Sequence, residues 1–167
     1  MAKALFISRN DLVNKTPLGG NVDADKILPF VEVAQETHVQ SLLGTDLYDK
    51  ISADIVAGNL TGDYLSLVNT YVKPVLVHYA IVDYLAFAPF TIGNGGVYKH
   101  QSENSQPVTE GEMAYLMENQ RKTAKSYAER LIDHLQYNAS TKYPEYYTNS
   151  NEDIDPIRDE NFSSWVL

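Results

Sequence analysis

The segment from Asp63 to Pro89 is the most apolar stretch of the chain and predicts a buried helix. Between Val75 and Leu85 only His78 and Asp83 are polar, so the helix is apolar nearly all round and packs on most sides. The segment exceeds ordinary strand length, and its polar interruptions argue against a membrane span. Pro74 predicts a kink or a break, because proline lacks the N–H and its ring clashes with the preceding turn.

Helical periodicity also precedes this segment. A first helix begins at an N-cap offered by Asp23 or Asp25 and ends at Gly44, where a glycine permits a positive φ. A second, shorter helix begins at Thr45, which is a good N-cap residue, and stops at Gly58. Both helices carry apolar residues at helical spacing, so we expect them to pack against the central segment.

Two further elements follow the central helix. Residues 90–108 form a polar loop in which an Asn94-Gly95-Gly96 turn separates short β-compatible runs, and this pattern predicts a hairpin or wing. Thr109 and Glu112 form a capping box that opens the last helix. Its apolar positions continue at near-heptad spacing to Leu135.

The chain therefore predicts a mainly α fold, a small helical bundle around the long central helix with a short hairpin and extended N- and C-terminal arms. Its 167 residues suffice for one hydrophobic core. We divide it into an N-terminal arm (1–22), a helical body (23–142) and an acidic, Tyr-rich C-terminal arm (143–167). Both arms are polar with spaced apolar anchors, a composition that orders on a partner.

The composition excludes several classes of site. Cys is absent, so thiolate metal sites and thiol nucleophiles are impossible. The start of the chain has no long apolar run, so we expect no signal peptide. The formal net charge of −9 argues against specific nucleic-acid binding, which needs a basic footprint. Twelve Tyr residues suit a protein with extensive interfaces.

We find no pattern typical of a catalytic or metal centre, and we expect no cofactor. The Glu-x-x-His pairs of di-iron bundles, the zinc-binding HxxxH and HExxH patterns and a phosphate-binding loop are all missing. His38 and His78 lie on apolar stripes and are expected to be hydrogen-bonded core or interface residues. Asp83 needs a partner if it is buried, and an ion-paired structural role is favoured over catalysis.

Several short motifs resemble those of phage head–tail connector proteins of the adaptor or head-completion family, and more narrowly the ring proteins of crAss-like phages. They include Asn21-Val22-Asp23 before a helix, the Ala34-Gln35 pair, and the segment from Leu43 to Tyr48. The Gly95-Gly96-Val97 turn and a long last helix followed by Tyr143-Pro144 complete the pattern.

The resemblance covers most of residues 20–147, and it implies a structural, non-enzymatic virion protein. Such a protein forms a homo-oligomeric ring, a dodecamer in this family, beneath the portal protein. The ring extends the channel for DNA and contacts the tail or the next ring. The implied locations are the virion connector and, during assembly, the host cytoplasm; no membrane is involved.

We predict two sets of site residues for this function. Anchors that bind partners lie in the arms: Phe6, Tyr146, Tyr147, Phe162, Trp165 and Leu167. Residues that could face the channel lie on the last helix: Arg121, Lys122 and Lys125. Two alternatives remain open at this point. One is a small helical enzyme or ligand-binding domain built around Asp83 and His78, and the other is a protein-interaction adaptor unrelated to virions.

Overall fold

The computed structural model describes residues 4–16, 23–94, 96–99, 108–149 and 153–158. The fold is mainly α, as the sequence predicts. Its α-helices are α1 (Arg9–Lys15), α2 (Leu28–Ala34), α3 (Gln40–Leu43), α4 (Thr45–Ala57), α5 (Gly62–Leu67), α6 (Lys73–Phe87) and α7 (Glu110–Lys142). Strands β1 (Phe90–Gly93) and β2 (Gly96–Lys99) form the predicted antiparallel hairpin.

The interruption predicted at Pro74 takes the form of a π-helical turn. Residues Val68–Val72 form this turn between α5 and α6, and the Lys73 N–H bonds to the Val68 carbonyl five residues earlier. A proline cannot donate to an α-helical hydrogen bond and crowds the turn before it. The wider turn directly before Pro74 therefore lets the chain continue as one helical rod from α5 into α6.

A second π-helical turn joins α2 to α3. It spans Gln35–Val39, so the predicted first helix is also one rod with a wider turn inside it. The rod ends at Gly44, whose φ of 76° and ψ of 157° belong to a region that is essentially restricted to glycine. The prediction that the Thr45 side chain caps α4 is wrong, because Gly44 occupies the N-cap position there.

Helices α6 and α7 pack antiparallel and form the centre of the core. Tyr71 stacks on His134, with ring centroids 4.0 Å apart, and His78 stacks on Tyr127 at 5.4 Å. Helix α2 covers another side of α6. The residues of α6 that are buried are Val75, Leu76, Val77, Ala80, Ile81 and Val82.

The rod from Gly62 to Phe87 is long and apolar enough to cross a membrane, judged by length and composition alone. Half of its most apolar window is buried inside the fold. A core helix meets the same criteria, and the packing against α2 and α7 accounts for the apolar composition.

The N-terminal segment from residue 4 to residue 16 packs against the body, which corrects the prediction of an arm that needs a partner to order. Phe6 is only 3% exposed, and Leu12 of α1 is fully buried. The Phe6 N–H donates to Gln35 Oε1 at 2.8 Å, and Gln35 Nε2 donates to the Ala4 carbonyl at 2.7 Å. A buried amide on α2's π-helical turn therefore holds this segment through two backbone hydrogen bonds.

The described part of the C-terminal arm is also docked on the body. Tyr143 and Tyr146 are buried in the core, so Tyr146 is not the exposed anchor that we predicted. Burial together with the neighbouring Asp63 and Tyr71 raises the pKa of Tyr143 to about 12. Both tyrosines thus contribute apolar area to the core, which composition alone does not reveal.

Candidate protein-interaction site

The C-terminal segment 153–158, which we call the strap, is fixed on the junction of α3 and α4. The Asp153 carboxylate accepts a hydrogen bond from Thr45 Oγ1 at 3.0 Å, and the Ile154 N–H donates to the same hydroxyl at 3.1 Å. The Thr45 N–H donates to the Ile154 carbonyl, and the Ile157 N–H donates to the Ser41 carbonyl. The strap thus satisfies backbone groups in α3 and at the N-terminus of α4.

Charge also favours this position of the strap. Asp153 lies beside the N-terminus of α4, where the helix dipole stabilises a negative group. Asn149 reinforces the capping, because its side-chain oxygen accepts from the Asp46 N–H at 3.1 Å. At the other end of the strap, the Arg158 guanidinium donates to the Tyr146 carbonyl. The strap is therefore held to the body at both of its ends.

One surface groove stands out on the side of α4 away from the core. It has a volume of about 680 Å³ and lies between the N-terminal segment, the α2 rod and α4. Its lining is predominantly apolar and includes Leu5, Tyr48 and Val56. The carboxylates of Glu32, Glu36 and Asp49 also line it.

A second surface lies at the end of the bundle where α6 stops, and we call it the apolar end surface. Tyr71 stacks on His134 and His78 stacks on Tyr127, so residues later in the rod that contains α6 lie beside residues equally earlier in α7. Helix α7 therefore begins about two turns beyond the level of Phe87, an overhang of roughly 12 Å. Large exposed apolar side chains on α6, the hairpin and α7 define this surface: Phe87, Phe90, Val97, Tyr115 and Leu116.

The two residues of the predicted enzyme alternative have different nearest partners. Asp83 lies 3.9 Å from His38 Nε2, and His78 Nδ1 is hydrogen-bonded to Gln120 Oε1 at 2.8 Å. Burial raises the pKa of Asp83, although His38 and the Arg121 guanidinium act in the opposite direction. The contacts of both residues are those of structural groups packed between helices. Among the residues that the structure describes, no group of three or more His, Asp or Glu side chains could hold a metal ion.

The remaining predicted site residues differ in their surroundings. Arg121, Lys122 and Lys125 are exposed on α7, where Arg121 forms an ion pair with Glu118 at 2.9 Å. Tyr147 is exposed, and its hydroxyl donates to the Gln136 carbonyl. Phe162, Trp165 and Leu167 lie outside the described residues.

Comparison with known proteins places the chain in one family. A family model described as a family of unknown function, DUF6712, matches residues 39–156. The chain belongs to the DUF6712 family. No curated protein and no solved structure matches it.

The DUF6712 match covers most of the fold but leaves out α1 and α2. The match begins in the second π-helical turn and ends at Pro156, so it includes α4, the α6–α7 pair, the hairpin and most of the strap. Sequence reasoning missed both the strap and the groove. Asn149 and the strap residues Asp153 and Pro156 are ordinary loop residues. The partners of Asn149 and Asp153, Asp46 and Thr45, lie more than a hundred residues earlier in the chain.

Proposed function

We propose that this DUF6712 protein is a structural subunit of a phage head–tail connector, forming a homo-oligomeric ring beneath the portal protein. The observation that carries the proposal is the apolar end surface. Large apolar side chains exposed at one end of a fold are typical of protein–protein interaction sites. Tyr115 is 70% exposed and Val97 is 64% exposed, both high values for large apolar side chains.

The shape of the molecule supports an assembly role. The overhang of α7 and the hairpin extend beyond the point where α6 ends, while the strap and the groove lie on other elements. A ring requires two different surfaces on each subunit, because every interface joins one face to another face of the next copy. The resemblance of residues 20–147 to connector proteins implies that the portal and the tail are the neighbours of the ring.

Passage of DNA through such a ring is compatible with the charge. The net charge of −9 gives DNA little to bind, and the exposed band of Arg121, Lys122 and Lys125 is sparse. In this proposal the three cations line the channel without forming a specific site. The protein has no enzymatic role and needs no cofactor in this proposal.

The contacts favour this proposal over an enzyme built around Asp83 and His78. His38 lies beside Asp83, and Gln120 is hydrogen-bonded to His78, so each of the two residues already has a partner on a neighbouring helix. An adaptor unrelated to virions would also use the apolar end surface. Only the identity of the assembly separates that alternative from a connector.

The test is the oligomeric state of the purified chain, measured by light scattering after size-exclusion chromatography and by negative-stain images, alone and with the portal protein of the same phage. We expect closed rings whose mass is a multiple of 18.7 kDa, or rings that form on the portal. Tyr115→Asp should prevent assembly, because it places a charge in the apolar end surface. Tyr137→Asp is the matched control, since Tyr137 is 89% exposed on the same helix. A monomer that neither self-associates nor binds the portal would refute the proposal.

A further inference from the structure

The groove beside α4 combines apolar lining with negative charge. Leu5 and Val56 are exposed at its edges, and Tyr48 lies within it. Glu32, Glu36 and Asp49 line it, and burial together with the nearby carboxylates of Asp46 and Asp153 raises the pKa of Asp49. A guest that carries both apolar area and positive charge would match the groove on both counts.

The hairpin has the complementary character. No acid occurs between Asp83 and Glu103, although the whole chain has 22 acids and a net charge of −9. The same stretch contains Lys99 and His100. Phe90 and Val97 on its two strands are exposed within the subunit. The hairpin is thus an apolar and locally basic element on an acidic protein.

The described hairpin residues do not occupy the groove of their own subunit. The groove is lined by the N-terminal segment, the α2 rod and α4, and none of the described hairpin residues contributes to that lining. Val97 remains exposed in the same structure. A hairpin and a groove on different elements are what a head-to-tail interface needs, in which one copy provides the first and its neighbour the second.

We infer that the hairpin of one subunit docks in the α4 groove of the next copy of this chain. The inference rests on the proposed ring and names one of its subunit contacts. Val97 and Phe90 contribute apolar area against Leu5 and Val56. The positive charge of the hairpin lies against the carboxylates of the groove and opposes wrong pairings.

Cross-linking tests this contact directly, because the chain has no native cysteine. One tagged subunit carries Val97→Cys and an untagged subunit carries Val56→Cys; both sites are exposed, so both variants should fold. The two are mixed and treated with a short bis-maleimide. We expect at least a tenfold higher yield of tagged–untagged product than from Val97→Cys mixed with Tyr137→Cys, the control. Equal yields from the two mixtures would overturn the inference.

Charge reversal supplies a second, independent measurement in the same assay. Lys99→Glu in the tagged Val97→Cys subunit should lower the yield several-fold, and Asp49→Lys in the Val56→Cys subunit should restore it. Failure of the restoration would count against the electrostatic part of the contact. Light scattering on the wild-type chain separates the two proposals. Rings without the Val97–Val56 product would refute only the docking, whereas that product in open, unclosed chains would refute the ring.

Discussion

Pro156 of the strap lies directly against Gly44 at the end of α3. A Cβ atom at position 44 would lie 2.7 Å from Pro156 Cδ, a distance that real side chains do not adopt. Gly44 also has a positive φ together with an extended ψ, a conformation that other residues avoid. One glycine therefore serves two purposes: it ends the α2–α3 rod and it makes room for the strap.

Gly44→Ala should destabilise the protein through both effects. Backbone strain in this region costs on the order of 1–3 kcal/mol, and displacement of Pro156 adds to that cost. Urea melts give the change in unfolding free energy. Hydrogen exchange of the Ile154 and Ile157 amides, which bond to Thr45 and Ser41, reports on the strap itself.

Gly58→Ala is the matched control for this prediction. Gly58 also has a positive φ, of 68°, but none of the residues that the structure describes has an atom within 4 Å of a Cβ there. It should cost only about 1–2 kcal/mol, the strain of a left-handed residue, and leave the two amides protected. Equal losses of stability with unchanged exchange at Ile154 and Ile157 would show that the strap does not depend on Gly44.

The sequence predicts those features of the fold that short-range patterns determine. The central helix follows from its apolar periodicity, the ends of the helices from Gly44 and Gly58, and the start of α7 from the Thr109–Glu112 capping box, which the structure shows in full. The hairpin follows from its turn residues. Each of these signals acts within a few residues, so it can be recognised without knowledge of the tertiary structure.

The docking of both terminal segments could not be predicted in the same way. Gln35 binds the backbone of Ala4 and Phe6, and Thr45 binds Asp153 and Ile154. Nothing in a polar segment shows which distant backbone groups it will satisfy. The candidate site depends on these contacts, because the groove exists only once Leu5 has been placed beside α4. Polarity therefore misled the prediction for segments that pack through few but buried anchors.

The second prediction concerns the central helix. Leu76 is fully buried, so Leu76→Ala should cost about 2–5 kcal/mol from lost transfer free energy and a residual cavity. Leu65→Ala on the same rod is the control, because Leu65 is 39% exposed and should lose much less. Urea melts under identical conditions compare the two variants. A loss below about 0.5 kcal/mol for Leu76→Ala would contradict the assignment of α6 as the core.

The third prediction is a loss of stability in mild acid. Burial lowers the pKa of His38 below 6.5, although Asp83 raises it, and burial together with Lys142 and Arg130 lowers the pKa of His134. In mild acid the unfolded chain therefore binds more protons at these two histidines than the folded chain does. The stability that depends on these histidines being neutral is fully present above the unfolded pKa of 6.5. It is lost as the pH falls through the lower folded pKa.

Melts between about pH 7.5 and pH 5.5 measure how the unfolding free energy depends on pH. The double variant His38→Phe, His134→Phe should flatten this dependence, because phenylalanine keeps the ring stacks on Tyr79 and Tyr71 but does not bind a proton. The double variant isolates the histidines because Asp83 also titrates with a shifted pKa. The raised pKa of Asp83 gives a contribution that is present below the unfolded value of 3.8 and is lost as the pH rises through the folded value, a dependence of opposite sign to that of the histidines. Identical slopes for the wild type and the double variant would rule out the two histidines as the cause.

The last prediction separates the two parts of the C-terminal arm. Residues 160–167 belong to the tail that is predicted to act on a partner, so deleting them should leave the unfolding free energy and the far-UV circular dichroism unchanged. Deleting residues 153–167 removes Pro156 and the hydrogen bonds at Thr45 and Ser41, and it should cost about 2 kcal/mol or more. If both deletions lower the stability equally, the distinction between strap and tail is wrong.

The same pair of truncations tests where the tail acts. Phe162, Trp165 and Leu167 are the predicted anchors for the portal or an adjacent ring, and Trp is the residue type most often found to dominate an interface. The shorter deletion should therefore abolish docking to the next component while the subunit keeps its stability. Trp165 is the only Trp, so its emission in the full-length chain should shift to the blue when that component binds. The prediction is contradicted if the full-length chain assembles with no change in Trp165 emission and the truncated chain assembles equally well. In that case the tail is not part of the interface, and the apolar end surface and the groove must account for assembly.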